Sequence, residues 1–158
     1  VTVRQARPSD VPVALELWRA LHREHEARDP RYRLSDDAAL RWQTSARDWT
    51  RSASDRIWLG FDGAAAVGLL TAHLYEPAPM YRPHTLVWVD ELYVAPAARG
   101  RGLAGRLLDE ARQWGATEGA TELRAGVLAA NAAGRAFWAR QGATDYSVTV
   151  AAPLRPEG

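Results

Sequence analysis

The chain contains no cysteine among its 158 residues. That absence excludes disulfides, a cysteine nucleophile, thiolate zinc sites and iron–sulfur clusters together, and it leaves the redox compartment unspecified. No stretch approaches the ~20 consecutive apolar residues of a membrane-spanning helix. The opening Val1-Thr2-Val3-Arg4 lacks the charged, apolar and small-residue regions of a secretory leader, so the expectation is a cytosolic protein with no membrane partner. Net charge is scarce as well: +1 at pH 7 gives no global basic field for nucleic acid. The basic residues are arginines, which places any anion binding in local sites. With 47% apolar residues the chain can fill one hydrophobic core and is too short for two ordinary domains, so residues 1–158 read as a single domain.

What is present falls into a mixed order of elements. Val1 to Arg4 reads as a short strand, and "RPSD" as a turn with Ser9 or Asp10 capping a helix that carries Val13, Leu17, Trp18 and Leu21. Asp29-Pro30 breaks that helix, and a second helical stretch runs from about Asp36 through Trp49. "RIWLGFDGAAAVGLLTAHLY" predicts two strands, Arg56 to Phe61 and Ala64 to Tyr75, joined as a hairpin at Asp62-Gly63. After a proline-rich loop, Thr85 to Val94 is β-branched and aromatic, as a buried strand should be. Leu103, Leu107, Leu108, Ala111 and Trp114 then recur at helical intervals until Gly115 or Gly119. "TELRAGVLAAN" predicts a strand, Ala132 to Gln141 a short helix, and "YSVTV" a final strand with Tyr146, Val148 and Val150 on one face. Helices and strands interleaved in this way define an α/β or α+β layered fold, not a barrel or a bundle.

The most informative stretch is "ARGRGLAGRLL", residues 98–108, between a strand and a helix. A glycine-containing turn into a helix leaves several backbone N–H groups aimed at one point, where the helix dipole also favours an anion. Gly100 and Gly102 let the backbone approach a phosphate, and Arg99 and Arg101 add charge-assisted donors, a chemistry suited to a diphosphate. A dinucleotide fingerprint would need a third glycine and a nucleotide P-loop a following Lys-Ser/Thr; neither is there, nor are magnesium ligands. On spacing alone the same residues also fit a tight turn bearing a solvated arginine pair, or a basic patch for RNA.

In context, "ELYVAPAARGRGLAGRLL" resembles the signature of the GNAT N-acetyltransferase family: a strand ending in a short apolar run, then Arg/Gln-x-x-Gly-x-Gly/Ala opening a helix. Arg99, Gly102 and Ala104 match its three positions. "NAAGRAFWARQGA", from Asn131 to Ala143, is similar to the family's second signature, and "VRQARPSDVPVALELW" to its first strand and helix. Residues from about 22 to 55 carry no signature. The resemblance implies a mixed, mostly antiparallel central sheet flanked by helices.

It also implies acetyl-coenzyme A as cofactor and direct transfer of the acetyl group to an amine, with no metal and no covalent enzyme intermediate. By this resemblance Arg99, Gly100, Arg101, Gly102, Leu103 and Ala104, with Gly105, cradle the pyrophosphate. The backbone of Leu92, Tyr93 and Val94 pairs with the pantetheine arm like an added strand, and the N–H near Val94 stabilises the oxyanion. Asn131 hydrogen-bonds the pantetheine side of the cofactor, and Phe137 and Trp138 belong to the same cofactor-binding set. An amine that is protonated near neutral pH needs a base. Glu91 is the first candidate and Asp90 the second, with a polar strand end or ion pair as the alternative for both. Because successive strand residues point to opposite faces, the two carboxylates share a side only if a bulge intervenes.

One position departs from the family: where a tyrosine often serves as acid for the leaving thiolate, Trp138 follows Phe137. Indole donates a hydrogen bond but no proton. Tyr93 or Tyr146, or water, is left for that role, with sheet packing preferred for Tyr146. His22 and His25 are expected on a solvated helix face, not at a metal, and His84 in a loop or lining the acceptor pocket. Trp18, Trp58, Trp88 and Trp114 are expected in the core, and Trp42 and Trp49 offer part of an acceptor wall. The leading expectation is acetylation of a small-molecule primary amine. The competing ones are a catalytically idle acyl-coenzyme A sensor, a protein N-terminal or lysine acetyltransferase, and an RNA-binding module. Family habit and an apolar C-terminal strand with a free edge suggest a homodimer.

Overall fold

The computed structural model describes residues 1–155. The chain gathers into two compact units, Val1–Gly126 and Val127–Gly158. In the first, the order is β1 (Thr2–Gln5), α1 (Val11–Arg28), α2 (Ala38–Trp49), β2 (Asp55–Asp62), β3 (Ala65–Tyr75), β4 (Leu86–Val94), α3 (Leu103–Thr117) and β5 (Glu122–Ala125). The strands form one sheet in the order β1-β2-β3-β4-β5. The first four pair antiparallel and β5 runs parallel to β4, so the sheet is mixed and mostly antiparallel, flanked by helices.

Local chemistry accounts for these boundaries. Asp62-Gly63 turns the β2–β3 hairpin with Gly63 at φ 60°, a left-handed conformation that glycine adopts without strain. Pro30 closes α1, because the ring cannot continue the helix ladder. Asp10 stands at the N-cap of α1, yet its carboxylate does not cap that helix. Arg4 holds both of its oxygens, at 2.7 and 3.0 Å, and the Arg7 N–H donates to one of them at 2.7 Å. The expected side-chain cap is thus replaced by an ion pair to β1.

Alternation along the strands sorts the core onto two faces. Ile57, Leu59, Leu69 and Tyr93 pack with Leu15, Trp18 and Leu21 of α1 and Trp42 and Ala46 of α2. Their neighbours on the opposite face meet α3. Gly60 and Gly68, paired across β2 and β3, leave room for Leu103, whose Cδ atoms would stand 2.7 and 3.0 Å from Cβ atoms built at those positions. Trp58 packs edge-on against Trp114 at 5.6 Å.

In the second unit, α4 (Ala132–Arg140) begins at Asn131, whose Oδ1 accepts from the Gly134 N–H at 3.0 Å, and is followed by Gly142 at φ 85°. The expected final strand is a correction. No β-ladder includes residues 143–150 among the described residues, and Tyr146, Val148 and Val150 are exposed at 72, 81 and 87%. An alternating apolar pattern becomes a strand only where a neighbouring strand takes up its backbone groups. Among the described residues no helix is long and apolar enough to cross a membrane.

Candidate active site

The pairing of β3 with β4 breaks register at one place. Thr71 stands opposite Glu91 and Ala72 opposite Val89, which leaves Asp90 as an extra residue in β4. This is a β-bulge, and it changes which side chains meet. In an unbroken ladder, Asp90 and Glu91 would alternate across the sheet. Here Glu91 accepts from the Thr71 hydroxyl, while Asp90 Oδ2 lies 2.7 Å from His73 Nδ1. Thr71 and His73 are two apart on β3 and share a face, so both carboxylates lie on the face covered by α1 and α2.

Glu91 is enclosed by donors. Trp42 Nε1–H donates to its Oε1 at 3.2 Å and Thr71 to its Oε2, and the Trp18 indole favours the ionised carboxylate. Burial dominates these contacts and pushes the Glu91 carboxyl up to about 7, helped by the Asp90 charge and opposed by the indole donors. Burial also raises the Asp90 carboxyl, against the lowering effect of His73. Tyr93, 6% exposed and on the same face, has its phenol raised mainly by burial, so it is neutral at physiological pH.

Below the bulge β4 is paired on both sides; beyond it, among the described residues, only β3 pairs with it. The β5 ladder covers Leu86 to Val89 and stops. The Ala95 N–H donates to Val67 at 2.8 Å, toward β3, so by alternation Leu92 and Val94 turn their N–H and C=O groups to the opposite edge, where no strand pairs with them among the described residues. Arg99 Nε takes the Val94 carbonyl at 2.8 Å.

The loop after β4 runs through a 3-10 turn, Pro96–Ala98, into α3. Gly100 and Gly102 hold φ of 78° and 77°, and open space surrounds the position of a Cβ at each. No side chain caps α3, and the amides of residues 100–105 find no acceptor among the described residues. This donor set fits a pyrophosphate. Both arginines are engaged in bracing the loop. Arg99 bonds Glu24 of α1 at 2.7 Å and lies 5.6 Å over the Tyr93 ring, and Arg101 bonds Asp62 of the hairpin at 2.6 Å. Arg101 holds the Asp62 carboxyl below its ordinary range. Leu103, which opens α3, is a core residue at 2% exposure.

Sequence reasoning missed two features. His22 and His25 do not lie on a solvated face: with Trp18 and Tyr32 they form a half-buried run of rings spaced 4.4 to 5.4 Å apart. No cluster able to hold a metal ion occurs among the described residues. Trp42 is 6% exposed, so it belongs to the core beneath Glu91, not to an open wall. Its partner lies 49 positions away, and only the bulge register brings the two together. In the second unit, Asn131 spends its side-chain oxygen on the α4 cap and retains its NH2 group, while Phe137 and Trp138 pack edge-on at 5.4 Å.

The sequence profile of the Acetyltransferase (GNAT) family matches residues 15–143. The chain belongs to this family, and it is an acetyl-coenzyme-A-dependent acetyltransferase by class. No curated protein matches it in sequence. Solved structures share its fold at low identity. A point mutant of the BH1408 protein from Bacillus halodurans is 17% identical, with TM-score 0.88 over 98% of this chain and 100% of that one. The aminoglycoside 6'-N-acetyltransferase AAC(6')-Ig from Acinetobacter haemolyticus is 17% identical, with TM-score 0.77 over 99% and 100%. AAC(6')-Iy, solved with a coenzyme A bisubstrate analogue, is 19% identical, with TM-score 0.72 over 98% of each chain.

Proposed function

We propose that this protein transfers the acetyl group of acetyl-coenzyme A to the primary amine of a small molecule, with Glu91 as general base. Acetyl-coenzyme A, when bound, supplies an activated acetyl thioester. The amides of residues 100–105 would bind the pyrophosphate, and the Leu92 N–H and C=O would hold the pantetheine arm in the manner of an added strand. The Val94 N–H would donate to the thioester carbonyl oxygen, where it favours negative charge. Glu91 would take a proton from the amine, directly or through one water, while the C–S bond breaks and the departing thiolate gains a proton from Tyr93 or from water; Asp90 adds negative charge that favours a cationic acceptor.

The observation that carries this reading is the bulge at Asp90. It sets a carboxyl held near pH 7 one residue from the uncovered edge of β4. A base poised near the working pH combines a useful ionised fraction with useful proton affinity. The aminoglycoside N-acetyltransferases that share the fold support a small-molecule acceptor.

The test is thiol release from acetyl-coenzyme A with a panel of amines, including amino acids, polyamines and aminoglycosides. Release above background with at least one amine, reduced at least a hundredfold in Glu91→Gln, is expected, in line with the ~10²–10⁴-fold that general bases supply. Tight coenzyme A binding without release with any amine would overturn the catalytic reading in favour of an acyl-coenzyme A sensor.

A further inference from the structure

Two elements donate to the Glu91 carboxylate, and their donors differ in kind. The Thr71 hydroxyl on β3 both donates and accepts. The indole of Trp42 on α2 only donates, and packing fixes its direction: the ring is stacked on Trp18 at 5.4 Å and 24° and meets Trp49 edge-on at 6.0 Å. A proton on Oε2 is accommodated when Thr71 rotates its hydroxyl to accept. A proton on Oε1 would face an N–H that cannot turn away.

We infer that Trp42 is a positioning residue for the base: its fixed indole holds Glu91 Oε1 as an acceptor and leaves Oε2, on the adaptable Thr71 hydroxyl, to receive the substrate proton. This rests on the assignment of Glu91 as base and adds a role for a residue in the stretch that carries no family signature. The surrounding groups are Trp18 on α1, with His22 tilted against it; Asp90 on β4, bonded to His73 of β3; and Asp55 of β2, opposite His73. The hydrogen bonds to the carboxylate are the Trp42 indole at Oε1 and the Thr71 hydroxyl at Oε2.

Trp42→Phe keeps the ring stack and removes the N–H. Losing a hydrogen bond to an ionised acceptor should move the acid limb of the pH–kcat profile up by about one pH unit. At pH 6 activity should fall about tenfold relative to the parent, while at pH 9 it stays within about twofold. A residue needed only for packing would lower activity equally at every pH, and that result would overturn the inference.

A second measurement needs no catalysis. In the parent protein without cofactor, the Trp42 indole N–H resonance should titrate with the same midpoint as the Glu91 carboxyl carbon, and should not titrate in Glu91→Gln. An indole resonance flat from pH 5 to 9 would overturn the inference. Coupled titration in a protein that acetylates no amine would support the Trp42–Glu91 relation and overturn the general-base reading, so the two failures are distinguishable.

Discussion

Thr71 of β3 lies directly opposite Glu91 of β4 and donates to its carboxylate, although the next residue, Ala72, lies opposite Val89. Without the extra residue Asp90 accommodated as a bulge, Thr71 would face Asp90, and Glu91 would fall opposite Leu70 on the α3 side. A single irregularity therefore decides which carboxylate the Trp42 indole of α2 and the Thr71 hydroxyl of β3 enclose. Enclosure has a thermodynamic consequence. The Glu91 carboxyl rises from its ordinary 4.5 to about 7 on folding, so the folded state binds the extra proton between those values. Stability is then fullest below 4.5 and declines as pH rises through 7, by at most ~3 kcal/mol. Glu91→Gln should gain stability relative to the parent between pH 5 and pH 8, read as a widening gap in denaturation midpoints.

His22 acts in the opposite direction. Burial against Trp18, with the neighbouring His25 charge, lowers its imidazole from 6.5 to about 4. A depressed histidine contributes stability that is present above 6.5 and lost as pH falls through 4. The ring is only half-buried, so the loss should be about 1–2 kcal/mol after allowance for solvent screening. His22→Phe should flatten the acid side of the stability–pH curve between pH 6.5 and 4 in urea titrations.

At Gly115 propensity and packing disagree. Alanine is favoured over glycine inside a helix by about 1 kcal/mol. A Cβ at this position, however, would stand 2.4 Å from Val87 Cγ2, and Val87 is a β-branched residue at 2% exposure. Overpacking of a tight core costs ~1–3 kcal/mol, so Gly115→Ala should lower Tm by a few degrees. An increase in Tm would show that α3 shifts freely against β4.

Gly102 separates strain from binding. Its φ of 77° costs alanine about 1 kcal/mol, although nothing stands within 4 Å of the Cβ position. Gly102→Ala should therefore lose a little stability and keep its response to acetyl-coenzyme A. Gly102→Glu places a negative charge among the phosphate-binding amides and should abolish that response. In the parent, ligand at about 100 times Kd should add ~2.7 kcal/mol, a rise of several degrees.

Much of this architecture is legible in the residues. Asp62-Gly63 announces its hairpin, Pro30 the end of α1, and Gly102 the left-handed entry to α3, because each depends on a backbone preference that one residue type satisfies. The condition that a bulge intervene between Asp90 and Glu91 is also visible, but not its outcome, since register is a property of two strands and not of one. The same limit hides Trp42, whose contact with Glu91 follows from how α2 lies on the sheet. Alternation misleads at Tyr146, Val148 and Val150: period two marks a strand's faces and supplies no partner. Helical spacing of His22 and His25 suggests a polar face, whereas the rings meet tilted and edge-on in a half-buried run.

The central claim is that Glu91 removes the amine proton, and its most direct test is the ratio of parent to Glu91→Gln acetylation rates from pH 5.5 to 8.5. Ionisation of the amine affects both proteins alike and cancels. The ratio should be large at pH 8.5 and fall as pH drops through about 7, where Glu91 takes up its proton. A ratio near one at every pH would contradict the assignment and leave Glu91 a buried structural carboxyl.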